Sequence, residues 1–329
     1  MPSTSAATLA PRPVFVSGEL VHKARPAEVL LTGLRPAGSD GFVVSAHWPE
    51  AHGCYATGTT ALDPLLLTET VRQSLPLLCH SGYAIPLGYR LLWDTFRYEL
   101  TPAALTARDR SGGLELRVTC LESARRGPRV SALTLSISVV QGGSPLAACT
   151  TRLTVQSPAV YERLRAGYAT PDAVAVLPPA PAAPIPPSVL GRTRCRDVVL
   201  SPADGLDWLL RVDTAHPLFF DHPLDHAPGL LLLEAARQAA LMLPAGHRLS
   251  VAGMETAFHR YVELDAPCRV EAVLADPAPD GHRDADVALW QNGVRCLSAA
   301  VRLARRPERL SAVLPGARED GALLVASPV

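Results

Sequence analysis

The sequence predicts an α+β protein that contains two copies of one module, each with one long helix and a run of antiparallel strands. Three observations lead to this prediction. An apolar helix with the same polar residues occurs twice, a Pro- and Ala-rich segment separates the two copies, and strand-like patterns follow each helix. A helix followed by several consecutive strands is typical of the α+β class, whereas regular alternation of strands and helices would indicate a parallel sheet.

The repeated helix is the strongest of these observations. Its two copies begin at Asp63 and at Pro228, which lies 165 positions later (228 − 63 = 165). A repeat at a fixed offset indicates a duplicated structural unit. The same offset of 165 relates three pairs of polar residues, namely Glu69 and Glu234, Arg72 and Arg237, and Gln73 and Gln238.

The first module reads as two strands, a central helix, four strands and a short helix. Asp63 is a good N-cap, and Pro64 suits the first helical turn because an N–H there would have no partner. Leu114, Leu116 and Val118 alternate with polar residues, which is the pattern of a half-buried strand. The predicted strands are 29–34, 42–48, 91–100, 114–121, 130–141 and 146–155, and the predicted helices are 63–78 and 158–167.

The second module repeats this order after a segment that is predicted to be an extended linker. Residues 171–187 are rich in Pro and Ala, and proline lacks the N–H and fixes φ, which excludes a regular helix or an inner strand. The predicted strands of the second module are 198–200, 206–212, 249–258, 268–275, 285–291 and 294–303, and its helix is 229–243. The predicted division is a first domain at 1–170, a linker at 171–190 and a second domain at 191–329.

The composition argues against several functional classes. The chain has 31 basic and 31 acidic residues, so no excess charge points to nucleic acid or to an anionic membrane, and no helix-turn-helix motif is recognisable. No run of 18 or more apolar residues is present, and the N-terminus lacks a signal-peptide core, which predicts a cytoplasmic protein. Seven scattered cysteines without a CxxC pair indicate reduced thiols.

Each central helix carries polar residues on one face in otherwise apolar surroundings. A Glu and an Arg three positions apart share that face with the Gln that follows, so Glu69, Arg72 and Gln73 project together. Burying such a group is costly unless its members are paired or used. Two interpretations stay open, a structural ion pair that orients the helix and a functional site, because duplication alone would copy either one.

The loops before the helices contain histidines that are candidate acid–base groups. The first loop spans 47–52 and the second spans 216–229, where His222 and His226 each follow an aspartate that would orient the imidazole. Two alternatives stay open, namely turn and core residues of a Pro-rich loop, or a zinc site. The sequence lacks an HExxH pattern and paired cysteines, which argues against zinc.

The Pro228–Gly229 step opens the second helix. A glycine at a helix start lets a ligand approach the free backbone N–H groups, and the helix dipole favours negative charge at this end. These are the properties of an oxyanion hole for a thioester carbonyl, although glycine also starts many helices that bind nothing.

The second loop and helix resemble the hot-dog enzymes that dehydrate 3-hydroxyacyl carrier proteins. The shared features are a His-containing loop, a Pro-Gly step, four apolar residues and the Glu234–Ala235 pair. The histidine spacing departs from that of the dehydratases. A resemblance over nearly the whole chain is to the A-factor biosynthesis family of actinobacteria, and it rests on Val21-His22-Lys23, Glu28-Val29-Leu30-Leu31-Thr32, the segment from Asp63 to Gln73, Ile85-Pro86-Leu87-Gly88, and the segment from His216 to Pro223.

This second resemblance implies a fold, a reaction and a set of partners. It implies two hot-dog modules that pair within the chain as a pseudo-dimer, while further pairing into a homodimer stays open. The implied reaction transfers a 3-oxoacyl group from acyl carrier protein to dihydroxyacetone phosphate, without a cofactor or metal. The ester then cyclises to the butenolide precursor of a γ-butyrolactone signal.

The site hypothesis that follows places one active cleft between the two modules. Glu69 is the expected general base if its pKa lies near neutrality, and Arg237 is expected to bind phosphate or the oxyanion. Glu234 and Arg72 form the corresponding pair on the other side, and the expected substrate-binding residues are Gln73, Gln238, His222 and Gly229. The alternative functions are a hot-dog dehydratase or thioesterase acting on carrier-protein thioesters, and a non-catalytic butyrolactone binder.

Overall fold

The computed structural model describes residues 16–55, 62–106, 112–168, 183–203, 207–243, 249–276 and 282–305. Within them the chain forms two modules, each with one central helix against one half of a shared sheet. The α+β prediction with two hot-dog-like modules is therefore confirmed.

The two predicted central helices are both present. Helix α1 spans Pro64–Leu77, and the Asp63 carboxylate caps it by accepting a hydrogen bond from the Leu65 N–H at 2.9 Å. Helix α4 spans Gly229–Met242 and is buried from Leu230 to Leu241. The short helices are α2 at Pro102–Thr106, which the sequence did not predict, and α3 at Pro158–Arg165, which it did.

The strands follow the predicted order in both modules. The first six are β1 (Leu31–Pro36), β2 (Gly41–Trp48), β3 (Arg90–Leu100), β4 (Gly112–Arg126), β5 (Arg129–Gln141) and β6 (Ser144–Gln156). The second six are β7 (Leu200–Pro202), β8 (Trp208–Leu210), β9 (Leu249–Phe258), β10 (Arg269–Leu274), β11 (Arg283–Gln291) and β12 (Val294–Arg305). The predicted alternation in β4 is confirmed, since Leu114, Leu116 and Val118 are buried.

The two half-sheets join into one twelve-stranded sheet. Its strand order is β1-β2-β4-β5-β6-β3-β9-β12-β11-β10-β8-β7, so the second half mirrors the first. The seam is the antiparallel pair β3–β9, in which Thr95 lies opposite Ala257 and Glu99 lies opposite Gly253. Because each central helix packs on its own half of this sheet and α1 also contacts α4, the modules form the expected intrachain pair.

Two predicted segments differ from the structure. The strand predicted at 198–200 begins only at Leu200, because the N–H of Val199 donates to the side chain of Gln238 instead of a strand partner. In the predicted linker, Pro187–Leu190 forms a single 3₁₀ turn, with proline in its first turn, where no N–H is needed. Residues 169–182 lie outside the described residues, and the domain limits stay a prediction.

Two further sequence expectations concern cysteines and membranes. All seven cysteines are unpaired thiols, as predicted. Across the described ranges, no helix combines the length and the apolarity that crossing a bilayer requires.

The seam provides a test of the fold at Gly253. A Cβ at this position would lie 2.9 Å from the Tyr98 carbonyl oxygen, so Gly253→Ala must push two paired strands apart. We expect it to lower the free energy of unfolding by about 1–3 kcal/mol, as overpacking usually does. Urea denaturation measures this loss, with Gly113→Ala in β4 as the control because a Cβ there would have no neighbour within 4 Å. Equal stability of the two variants would contradict the seam described above.

Candidate active site

Glu69 lies at the centre of a buried polar cluster on α1. Its carboxylate accepts two hydrogen bonds from Arg72, at 2.7 Å and 2.9 Å, and one from the Gln73 amide at 2.8 Å. The Lys23 ammonium lies 3.1 Å from the same carboxylate. Lys23 also donates to the carbonyl of Leu218, so the first cluster includes a contact with the loop of the second module.

Glu234 forms a corresponding cluster on α4. Arg237 donates to both of its carboxylate oxygens at 2.7 Å, and the Gln238 amide donates to one of them at 2.6 Å. Arg192 takes the place of Lys23 and donates to both oxygens at 2.9 Å. Arg192 also reaches into the first module, where it donates to Asp63 at 2.5 Å and to the carbonyl of Cys54 at 3.2 Å.

The glutamines have a structural role in both clusters. The Gln73 amide donates to Glu69 and to the carbonyl of Glu28, while its oxygen accepts from the Leu30 N–H. Gln238 makes the matching bonds to Glu234, the Asp197 carbonyl and the Val199 N–H. Both amide hydrogens of each glutamine are thus used within the protein, which differs from the predicted substrate-binding role.

Lys23 and Arg192 are site residues that sequence reasoning missed. A second repeat, at an offset of 169, would have revealed them (192 − 23 = 169). The pattern is a basic residue followed five positions later by an acidic residue and a short apolar run. It relates Lys23 to Arg192, Glu28 to Asp197 and Leu30 to Val199.

The electrostatics of the two glutamates differ from the sequence hypothesis. Burial acts to raise the pKa of Glu69, but the charges of Arg72 and Lys23 and the hydrogen bonds outweigh it and lower the pKa to about 2. The pKa of Glu234 is likewise lowered to about 2, against burial, by Arg192 and Arg237. Such carboxylates are poor bases at neutral pH, so Glu69 does not meet the condition set for a general base.

The structure also pairs each arginine with the glutamate of its own helix. Arg72 binds Glu69 and Arg237 binds Glu234, and no contact among the described residues joins Glu69 to Arg237. The side chain of Arg72 is 22% exposed, whereas that of Arg237 is 9% exposed. The first cluster is therefore the more accessible one.

A histidine–aspartate pair from the second module lies beside the first cluster. His222 Nδ1 lies 2.6 Å from Asp221, whose other oxygen accepts from the Ala24 N–H of the first module at 2.9 Å. Burial acts to raise the pKa of Asp221, but the hydrogen bond from His222 and the Lys23 charge lower it to about 2. The His222 side chain is 38% exposed, and its Nε2 has no hydrogen-bond partner among the described residues.

Two more histidines adjoin this cluster. His22 and His80 face each other with their Nε2 atoms 3.0 Å apart. His80 follows α1 in a π-helical turn, Leu78–Gly82, and its Nδ1 donates to the Ile85 carbonyl at 2.8 Å. Pro76 in the preceding turn lacks the N–H that would continue the regular ladder, and the helix widens directly after it.

Other histidines support the loops. His52 accepts from the N–H groups of Cys54 and Tyr55 and lies 3.3 Å from the Glu28 carboxylate. His216 repeats this arrangement with the N–H groups of Leu218 and Phe219 and with Asp197 at 3.0 Å. Its imidazole, Asp197 and Cys54 have ligand atoms within 4.8 Å of one another, a set of donors that metals use. The His52–Glu28 copy makes the same contacts without a thiol, so we interpret both pairs as loop supports.

His226 belongs to a separate network at the edge of the second loop. Its Nδ1 lies 2.7 Å from Asp225, which also accepts from the Tyr161 hydroxyl at 2.6 Å. Arg165 donates to Asp225 and to Glu263, which ties helix α3 to the second module. This network explains His226 without a catalytic role.

The N-termini of the two central helices differ. The Asp63 side chain occupies the start of α1, while Pro228 occupies the matching position of α4 and offers no side-chain cap. A Cβ at Gly229 would come within 3.3 Å of Trp93 and of Phe258, whose rings stack with centroids 5.4 Å apart. Glycine therefore allows the aromatic pair to pack closely here, a reason that the sequence did not reveal.

Comparison with known proteins bears on most of the chain. A family model described as the A-factor biosynthesis hotdog domain matches residues 4–157 and 175–304. A Streptomyces virginiae protein named 2-oxo-3-(phosphooxy)propyl 3-oxoalkanoate synthase is 36% identical over 288 residues, covering 87% of this chain and 96% of that protein. A Streptomyces coelicolor protein of the same name is 39% identical over 264 residues, covering 79% of this chain and 82% of that protein.

The solved structures show the same fold at low sequence identity. A protein assigned as an oleoyl thioesterase from Lactobacillus plantarum superposes with a TM-score of 0.52 at 12% identity. The match covers 83% of this chain and 99% of that chain. At this identity the similarity concerns the fold alone.

The second cluster yields a stability prediction. Arg192→Met would leave Asp63 and Glu234 buried without their shared cation, so we expect a loss of about 3–5 kcal/mol in the free energy of unfolding. Chemical denaturation measures the loss. Arg117→Met, at an arginine that is 59% exposed, serves as the control and should change stability by less than about 0.5 kcal/mol. A loss of similar size in both variants would contradict the role of Arg192.

The lowered pKa values of Glu69 and Glu234 predict acid sensitivity. Each pKa falls from an ordinary 4.5 to about 2 on folding, so the unfolded chain binds more protons between these values. The stabilisation is fully present above the unfolded pKa and is lost as the pH falls through the folded pKa. Urea unfolding from pH 6 to pH 2 measures this, and Glu234→Gln should flatten the curve more than Glu115→Gln, where the carboxylate side chain is 40% exposed. A flat curve for the parent protein would contradict the prediction.

Proposed function

This chain belongs to the A-factor biosynthesis hotdog family, and we propose that it esterifies dihydroxyacetone phosphate with a 3-oxoacyl group. The relatives named 2-oxo-3-(phosphooxy)propyl 3-oxoalkanoate synthase support this reaction, since they match most of the chain at 36% and 39% identity. The product is the precursor of a γ-butyrolactone signal. We further propose that the donor thioester is carried by acyl carrier protein and that the reaction takes place in the cytoplasm.

We assign the reaction to the cleft at the first cluster. This choice rests on the positions of the histidines. Three histidines lie at the first cluster, namely His22, His80 and His222. His22 and His80 contact each other, and Arg72 and His222 influence the pKa of His22. In the sequence of the second module, the offsets of the repeat place Gly191 at the position of His22 and Ala245 at that of His80 (22 + 169 = 191; 80 + 165 = 245). Among the described residues, His22, His80 and His222 therefore give the first cluster groups suited to acid–base chemistry near neutral pH.

His222 is the general base of the proposed mechanism. Asp221 holds Nδ1–H, which leaves Nε2 to take the proton from the primary hydroxyl of the acceptor. The hydroxyl oxygen attacks the thioester carbonyl, the C–O bond forms, and the C–S bond breaks. The proton then passes from His222 to the departing thiolate, so the imidazole returns to its neutral state.

The start of α4 is proposed to stabilise the oxyanion. Pro228 leaves the first N–H groups of the helix uncapped, and these groups and the helix dipole favour negative charge on the carbonyl oxygen. The stacked rings of Trp93 and Phe258 lie against Gly229 and offer an apolar surface to the acyl chain. In α1 the same end is occupied by Asp63, which is held in turn by Arg192.

Glu69 is proposed to be a positioning residue. Its carboxylate holds Arg72 and Lys23 at the cleft, and Lys23 in turn binds the Leu218 carbonyl in the loop that carries His222. The second cluster, with Glu234, Arg237 and Arg192, is proposed to have the matching structural role. In the alternative assignment, Glu69 and Arg237 take part in one reaction at a shared cleft. The experiment below distinguishes that assignment from the one proposed here.

The test is a mass-spectrometric assay with 3-oxoacyl carrier protein, with and without dihydroxyacetone phosphate. We expect a phosphorylated acyl ester or butenolide that requires the acceptor. His222→Asn should lower the rate by about 10²–10⁴-fold, the usual contribution of a general base. The control is His259→Asn, because His259 is exposed and its imidazole bonds only Ser298 among the described residues. Arg72→Lys should lower the rate and Arg237→Lys should not.

Each other outcome favours a different conclusion. Loss of activity in Arg237→Lys, with Arg72→Lys active, would support the alternative assignment. Free acid formed without the acceptor would favour a thioesterase, and an enoyl product would favour a dehydratase. Binding of a butyrolactone with no turnover would favour a regulator that has kept the cleft.

A further inference from the structure

His22 adopts a backbone conformation that its counterpart reserves for glycine. Its φ is +53°, in the left-handed region, where non-glycine residues are strained. The matching position of the second module is Gly191, with φ +68°. In the second module, glycine occupies this position in the turn. The strained histidine in the first module therefore points to a role for its side chain.

The hydrogen bonds of His80 fix the proton arrangement of the pair. His80 Nδ1 must carry a proton, because it donates to the Ile85 carbonyl at 2.8 Å. Its Nε2 then accepts from the Nε2–H of His22 when both rings are neutral. Nδ1 of His22 is left as a bare nitrogen without a hydrogen-bond partner in the described part of the chain. Protonation would turn it into a donor.

Two arginines and two further histidines, from several elements, influence the His22 ring. Arg72 on α1, His80 in the π-helical turn, His222 in the second loop and Arg90 at the start of β3 all act on His22. Burial and these positive groups lower the pKa of His22 to about 3, so the ring is neutral at pH 7. An anion placed among them would relieve the repulsion and bring a proton onto the ring.

Arg90 is held in place by an aromatic ring. Its guanidinium carbon lies 5.2 Å from the centroid of Tyr161, whose hydroxyl donates to Asp225 at 2.6 Å. The guanidinium itself is not used by a carboxylate in any described contact. Arg90 is therefore an exposed cation that stacks on a tyrosine ring and influences His22, with its hydrogen-bond donors available.

The charge balance separates the two clusters. Lys23, Arg72 and Arg90 carry three positive charges against two negative charges on Glu69 and Asp221, an excess of one (3 − 2 = +1). In the second cluster, the two positive charges of Arg192 and Arg237 balance the two negative charges of Asp63 and Glu234 (2 − 2 = 0). Among the charged groups counted here, the first cluster alone has a positive charge that is not balanced.

We propose that Arg72, Arg90 and His22 form an anion subsite that holds the phosphate of the acceptor, with His80 as the proton partner of His22. The identity of the acceptor rests on the proposed function. Only three carbons separate its hydroxyl from its phosphate, so a phosphate held here presents the hydroxyl to the neighbouring His222. His22 acts as a positioning residue that becomes cationic when the phosphate enters.

The test is calorimetric binding of dihydroxyacetone phosphate to the full chain without an acyl donor, with uncharged dihydroxyacetone as the comparison. We expect the phosphate ester alone to bind. Arg90→Gln and His22→Gly should each weaken binding by about tenfold or more, the loss expected for one charge-assisted hydrogen bond. Arg129→Gln is the matched control, because Arg129 also lies over a tyrosine ring, that of Tyr89, and is not one of the four groups named above that influence His22.

His22→Gly separates a binding role from a structural one. Glycine suits the left-handed backbone, so this variant should melt no lower than the parent protein while it binds the phosphate ester less tightly. In two buffers of different ionisation enthalpy, the parent should take up more protons on binding than His22→Gly does.

Normal binding in both variants, or equal affinity for dihydroxyacetone and its phosphate, would overturn the subsite. A lower melting temperature for His22→Gly, with unchanged affinity, would make His22 a structural residue. The protein could also bind the phosphate ester tightly, in a way that depends on His22, and yet fail to transfer an acyl group. That result would overturn the proposed reaction and leave the subsite in place.

Discussion

A buried carboxylate on each central helix is the interaction on which the remaining structure depends. Glu69 and Glu234 are almost fully enclosed, and a charge in such a place is tolerated only when it is paired and hydrogen-bonded. Each therefore fixes an arginine, a glutamine and a second cation in one arrangement. The glutamine bound to each glutamate holds the backbone segment that leads into the first strand of its module. The second cation bonds a loop of the other module. Helix, sheet and module interface are thus linked at one point in each half.

The sequence predicted the parts of this arrangement that are local. Periodicity located the central helices and most strands, because helix burial and strand alternation depend on neighbouring residues. The offset of 165 identified Glu69, Arg72 and Gln73 with their copies. Lys23 and Arg192 were missed because they come from irregular segments about 45 residues away in sequence, where the second repeat has a different offset. Contacts of this kind are set by tertiary packing rather than by a local pattern.

Chemical roles were harder to predict than positions. The hypothesis that Glu69 is a base required a pKa near neutrality, whereas the folded chain places two cations against it and lowers its pKa. Gly229 was expected to admit a ligand, and in the structure two aromatic rings lie against it. The role proposed for His22 rests on its backbone angle and its glycine counterpart, since a histidine in a short turn carries no signal of its own. Such roles depend on what surrounds a side chain, which a single sequence does not contain.

The fusion of both modules into one chain, joined at the β3–β9 seam, has a consequence for how such a protein can change. In a homodimer every substitution appears twice, so a histidine gained beside one glutamate is also imposed beside the other. In a single chain the two halves are encoded separately, so a substitution can occur in one half alone. One half keeps Gly191 and a closed ion-pair network, while the other tolerates His22 and an uncompensated positive charge. Under the proposed site assignment, the covalent link lets one half supply rigidity while the other half accumulates strain and function, a division that symmetry would forbid.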